Sequence, residues 1–261
     1  MIIDQLAGLA SYVGNTYFIS FLAGLSFVLI KKHDFSGLIY LLFFTMIYNT
    51  LLKPIFALPL PKTCPGTGYG FPSGHMNFNA VFFLWIFTTF KNRIIKIFSV
   101  LLLATIGWSI VYKGFHFARD VLLTPIFSCL FIFIYKKFIA NQSSSRAFLI
   151  VNIVSSILIF CLYFVKKTIP EHIFIAYYLI IGFGLSKLFL EILKQKTGFR
   201  TIIFQIVTTI LVILSMIIVL KINNENIILY HVFNKIHWLF IGISISFFKY
   251  LLLLKENKAI P

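Results

Sequence analysis

Three side chains in this sequence have the types and spacing to do chemistry together: His75, His116 and Asp120. His75 closes the tetrapeptide Pro72-Ser73-Gly74-His75, His116 follows forty-one residues later, and Asp120 comes four residues after that. An imidazole is costly to bury without a partner and a carboxylate more so. Groups of this kind at the ends of apolar segments, on one predicted face, point to a reaction there. Pro72-Ser73-Gly74 reads as a turn into a helix. Its glycine allows close backbone approach, and the amides of a helix start attract phosphate-like anions. His75 at that start is placed to deliver a proton to a leaving oxygen. On a helical turn the four-residue step from His116 to Asp120 lets the carboxylate hold one ring nitrogen and leave the other open. That arrangement suits a histidine nucleophile or base. Lys53, Lys62, Lys113 and Arg119 fall in the same segments and are candidates for binding an anion.

The elements that must position these groups are apolar. The 261 residues are 60% hydrophobic and 11% charged, against about 25% charged in an ordinary soluble domain. Apolar runs close to membrane-spanning length recur from end to end and are continuous, unlike the alternating strands of a barrel. The sequence predicts an all-α, polytopic membrane bundle of about nine spans, near 10–30, 36–58, 76–90, 94–112, 121–135, 147–165, 173–193, 201–220 and 236–254. Residues 1–135 form the motif-bearing core, with 136–261 as additional spans of no assigned chemical role. No cationic leader precedes the first apolar run, so no cleavable signal is expected. Cys64, Cys129 and Cys161 have no metal-type spacing and imply no disulfide framework. Asn49 and Asn79, polar within apolar runs, read as packing hydrogen bonds.

The net charge of +16 is not a nucleic-acid footprint, because the cations sit in short clusters at the ends of apolar runs. With nine spans, thirteen Lys and Arg fall on one side and eight on the other, leaving out Lys187 and Lys249 inside spans. The richer side is read as cytoplasmic, so the N-terminus and the motifs face outward and the C-terminus inward. A bacterial inner membrane is the expected location.

Three segments carry a family resemblance: Lys53 through Leu60-Pro61, Pro72-Ser73-Gly74-His75, and Ser109-Ile110 through His116 to Asp120. They resemble the type 2 phosphatidic acid phosphatase family, whose pattern is Lys, six residues, Arg-Pro; then Pro-Ser-Gly-His; then Ser-Arg, five residues, His, three residues, Asp. The likeness covers roughly residues 36–135. It implies that His116 attacks phosphorus, that Asp120 orients it, and that His75 protonates the leaving alcohol. It implies further that Lys53, Ser73 and the Gly74 amide hold phosphoryl oxygens, with no metal or other cofactor. The seven acidic residues are scattered and form no carboxylate cluster of the kind that holds one.

The chain departs from the pattern at Leu60 and Ile110, which stand where the family has arginines. Each arginine would bind phosphate oxygens as a fork. Lys62 and Lys113 are the nearest cations in sequence, and lysine would act there as a point charge. The expected function is hydrolysis of a lipid or isoprenoid phosphate, a monoester or pyrophosphate, at the outer face through a phosphohistidine. The alternatives are a lipid-phosphate binding or transport protein on the same core, and a lipid phosphotransferase.

Overall fold

A computed structural model describes residues 2–30, 35–166 and 169–193, the side chains of the last stretch as far as residue 189, together with residues 207, 210, 214, 232 and 234–245. Among the described residues the regular structure is helical, with one isolated bridge between Pro59 and Tyr69 in a loop. Its helices are α1 (Ile2–Val13), α2 (Thr16–Leu29), α3 (Ser36–Phe56), α4 (Gly74–Thr89), α5 (Arg93–Tyr112), α6 (Ala118–Ile134, running on into a π turn Tyr135–Ile139), α7 (Ser144–Lys166) and α8 (Glu171–Leu193). Five of them are long and apolar enough to cross a membrane: α3, α5, α6 with its π turn, α7 and α8 as far as Phe189. The α1–α2 pair passes as a sixth only if taken together across its 49° bend.

Two spans differ from expectation, and two fall outside what is described. The expected span 10–30 is the bent pair, broken at Gly14 and Asn15, where the Asn15 side chain accepts the Tyr17 N–H at 2.8 Å and caps α2. The expected span 76–90 is α4, only 16 residues long. It can be short because it is enclosed by other helices: Met76 to Phe83 and Trp85 are buried, and α4 packs on α3, α5 and α6. The expected span 201–220, apart from residues 207, 210 and 214, and the part of 236–254 beyond residue 245 lie outside the described residues.

Small and polar residues draw the helices together, as they do where lipid gives no hydrophobic drive between helices. A Cβ on Gly182 of α8 or on Gly242 would meet backbone atoms of the opposite helix, so this pair lets α8 and residues 234–245 cross closely. Asn234 donates to Glu171 at 2.7 Å at the start of the same crossing. Outward faces stay apolar. On α7 the exposed Leu149, Ile153, Ile157, Phe160 and Phe164 recur at helical spacing, forming a stripe suited to lipid.

Chain direction then decides where the motifs meet. The end of α3, the start of α4, the link from α5 to α6, the end of α7 and the start of α8 all lie around one cavity at one end of the bundle.

Candidate active site

Motif two is built by a helix cap. Ser73 is fully buried and its Oγ accepts the Met76 N–H at 3.4 Å, starting α4. Its own N–H donates to Thr124 Oγ1 at 3.0 Å, and that hydroxyl donates to the Asp120 carbonyl. Ser73 thus ties the start of α4 to the first turns of α6. Gly74 and His75, next in sequence, line a cavity of about 540 Å³. Sequence reasoning expects the Ser73 side chain to hold phosphoryl oxygens, but the structure gives that oxygen to the helix cap and keeps it off the cavity wall.

A network that the sequence does not announce holds this wall in place. Asn77, one turn into α4, donates to Asn49 Oδ1 at 3.0 Å, and Asn49 donates to the Pro72 carbonyl at 3.3 Å. Tyr48 and Ser128 both donate to Asn77 Oδ1, at 2.8 and 2.5 Å. Three helices are thereby bound to the turn that aims His75. Asn79 donates to the carbonyls of Gly14 and His75, each at 2.8 Å, and joins the α1–α2 bend to the same turn. The packing role expected of Asn49 and Asn79 is therefore also a positioning role.

Motif three enters from the link between α5 and α6. Gly114 takes φ +70° there, and a Cβ on it would meet Thr63 Oγ1 at 2.6 Å. Glycine is needed on both counts. His116 is buried to 8% exposure and lines the cavity. Asp120, wholly buried in the first turn of α6, has Oδ2 at 3.9 Å from His116 Nδ1, and the same oxygen accepts the Phe117 N–H at 3.3 Å. Burial first, then the charges of Lys53 and His75, push the His116 imidazole down to about 4, with the Gly70 backbone pulling the other way. At neutral pH the ring is therefore uncharged and has a nitrogen lone pair to offer.

The roof of the cavity is the 57–71 loop. Gly70 N–H donates to the Leu58 carbonyl at 2.7 Å, and Pro59 bridges Tyr69. A Cβ on Gly70 would stand 3.0 Å from Asp120 Oδ2 and 3.4 Å from Leu60 Cδ2. Leu60, at the first missing-arginine position, thus packs beside Gly70 near the carboxylate. Ile110, at the second, is buried in the apolar core.

The candidate cations divide. Lys53, in the last turn of α3, lines the cavity with His75 and His116. Lys62 and Lys113 are exposed and are not among the lining residues. Arg119 lies over the Phe117 ring at 5.0 Å with its Nε 3.6 Å from Asp120 Oδ1, likewise off the cavity wall. Two residues that sequence reasoning passed over do line it: Lys166 at the end of α7 and His172 in the first turn of α8. Their only sequence signal was position, since Lys166 closes α7 and His172 opens α8 at the motif end. Among the described residues no group of three or more His, Cys, Asp or Glu side chains is gathered as a metal site.

A second cavity, of about 690 Å³, adjoins the first and shares Thr16, Met46 and His172 with it. Its walls are overwhelmingly apolar and come from α2, α3, α8 and residues 238–245, including Trp238.

No curated protein and no solved structure matches the chain. Residues 34–144, which hold all three motifs, match the family model described as the PAP2 superfamily.

Proposed function

We propose that this protein is a membrane phosphatase that hydrolyses a lipid or isoprenoid phosphate through a phosphohistidine on His116. The observation that carries the reading is one cavity lined by His75, His116 and Lys53 that adjoins an apolar one of about 690 Å³, the two sharing Thr16, Met46 and His172. The polar cavity suits a phosphate headgroup, and the apolar one suits the hydrocarbon attached to it.

The chemistry balances with these groups alone. His116 Nε2, the nitrogen away from Asp120, attacks phosphorus while the bond from phosphorus to the alcohol oxygen breaks. His75, protonated, gives its proton to that oxygen. Water then attacks the phosphohistidine, the P–N bond breaks, and His75 takes the proton from the water. The first-turn amides of α4 and the Lys53 ammonium stabilise the charge on the phosphoryl oxygens. The motif face is the outer one, and the location is a bacterial inner membrane with the C-terminus inside, because the cation imbalance favours that orientation.

Phosphate release by the detergent-purified protein tests this on phosphatidic acid, phosphatidylglycerophosphate, undecaprenyl pyrophosphate and a sugar phosphate, beside His116→Ala. Turnover of a lipid substrate that disappears in the variant supports the reading. Absence of turnover on all four, with lipid phosphate still bound, makes the protein a binder or transporter. Transfer of labelled phosphate to an added lipid in place of water makes it a phosphotransferase.

A further inference from the structure

The cavity has a wall that the family match does not reach. Lys166 ends α7 and His172 lies in the first turn of α8, both beyond residue 144, where the match stops. Both line the cavity that holds Lys53, His75 and His116, and none of the residues described as lining it is acidic. Among the described residues this wall gathers two lysines and three imidazoles and no carboxylate, so the two ammonium groups repel one another until an anion enters.

His172 is held for that task. Its Nε2 lies 3.3 Å from Thr50 Oγ1 on α3, one turn before Lys53. The Thr50 hydroxyl donates to the Met46 carbonyl at 2.9 Å, so it accepts from His172, which fixes Nε2 as the protonated nitrogen. The other ring nitrogen remains to take up a second proton when an anion arrives. Leu60 packs by Gly70 and Ile110 lies in the core, so neither arginine position of the family supplies a donor here.

We propose that Lys166 and His172, contributed by the C-terminal helices, form the phosphate clamp of this site in place of the two family arginines and bind the phosphoryl oxygens of the substrate. The proposal rests on the phosphatase reading for its substrate, but phosphate binding tests it separately. The C-terminal helices then acquire a chemical role: they complete a site to whose wall the motif-bearing half, among the described residues, contributes Lys53 as its one lysine or arginine.

The experiment is calorimetric titration of inorganic phosphate into the full-length protein in detergent, using wild type, Lys166→Met, Lys166→Arg and His172→Gln. Met keeps the length of the side chain without the charge, and Arg keeps the charge. Lys166→Met and His172→Gln should each weaken phosphate binding tenfold or more, while Lys166→Arg should stay within threefold of wild type. Equal binding by wild type and Lys166→Met overturns the proposal, as does loss in both Lys166 variants or a wild type that binds no phosphate. Turnover that needs His116 but ignores Lys166→Met would sink the clamp and leave the phosphatase. Phosphate binding that needs Lys166, in a protein with no turnover, would sink the phosphatase and leave the clamp.

Discussion

His116 Nδ1 and Asp120 Oδ2 stand 3.9 Å apart, and that carboxylate oxygen meanwhile accepts the Phe117 N–H at 3.3 Å. The carboxylate therefore acts on the imidazole through its charge and through the helix start it caps, without a direct hydrogen bond to it in this state. Asp120 Oδ1 is buried with no hydrogen-bond partner, although Arg119 Nε lies 3.6 Å away. A small rotation of either ring or carboxylate would close the pair, as happens when catalytic hydrogen bonds tighten around a bound substrate.

Asp120→Asn is expected to keep the fold, since an amide oxygen can still accept from Phe117. It removes the charge that stabilises the imidazolium side of the reaction, so kcat should fall by about 10²–10⁴. Steady-state kinetics with an unchanged melting temperature would agree; an unchanged kcat would remove Asp120 from the mechanism.

The depressed His116 sets a pH limit. In the proposed mechanism its neutral form is the nucleophile, so kcat/KM should hold on acidification and drop only as pH falls through about 4. The acid limb of kcat should lie higher, because a bound phosphate beside the ring favours its protonated form. A pH–rate profile of the free enzyme breaking near the ordinary histidine value of about 6.5 would contradict the burial seen here.

Asn77→Ala strips the acceptor from Tyr48 and the donor from Asn49, both buried, while Ser128 keeps its bond to the Asn77 carbonyl at 3.2 Å. Leaving such groups unpaired costs about 1–3 kcal/mol. Thermal unfolding in detergent should show the loss, together with a fall in kcat as the turn carrying His75 loosens. Equal melting of variant and wild type would mean that the network carries no stability.

Ile110→Arg restores a family residue in name only. Ile110 is buried at 6% exposure within the apolar core, so the guanidinium would enter a site with no prepared partner. Lower expression and a lower melting temperature are expected, without a gain in phosphate affinity. A tighter phosphate Kd in this variant would show that the second arginine position does open to the cavity.

Much of the frame was legible because it depends on local chemistry. Apolar runs near span length read as helices because a backbone in lipid must satisfy its own hydrogen bonds. Pro72-Ser73-Gly74 reads as a turn into a helix, and α4 starts there, capped by Ser73. The single span expected near 10–30 instead bends by 49° at Gly14 and Asn15, where hydropathy alone saw one apolar run. The short α4 was legible as short, but its enclosure by α3, α5 and α6 was not.

The sequence by itself determined the class of the fold, the likeness of the 34–144 segment to the PAP2 superfamily model and the three groups proposed for catalysis, because each is written in residue type and spacing along one stretch of chain. Only the tertiary structure decided which cations share a cavity with them. Lys62 lies two residues from Leu60, and Lys113 lies three residues from His116, yet both point elsewhere, while Lys166, fifty residues from His116, lines the site. The reason is geometric. A loop lysine goes where its own turn aims it, whereas Lys166 and His172 are carried to the cavity by helices packed along α3, and that packing is set by residues far from either motif.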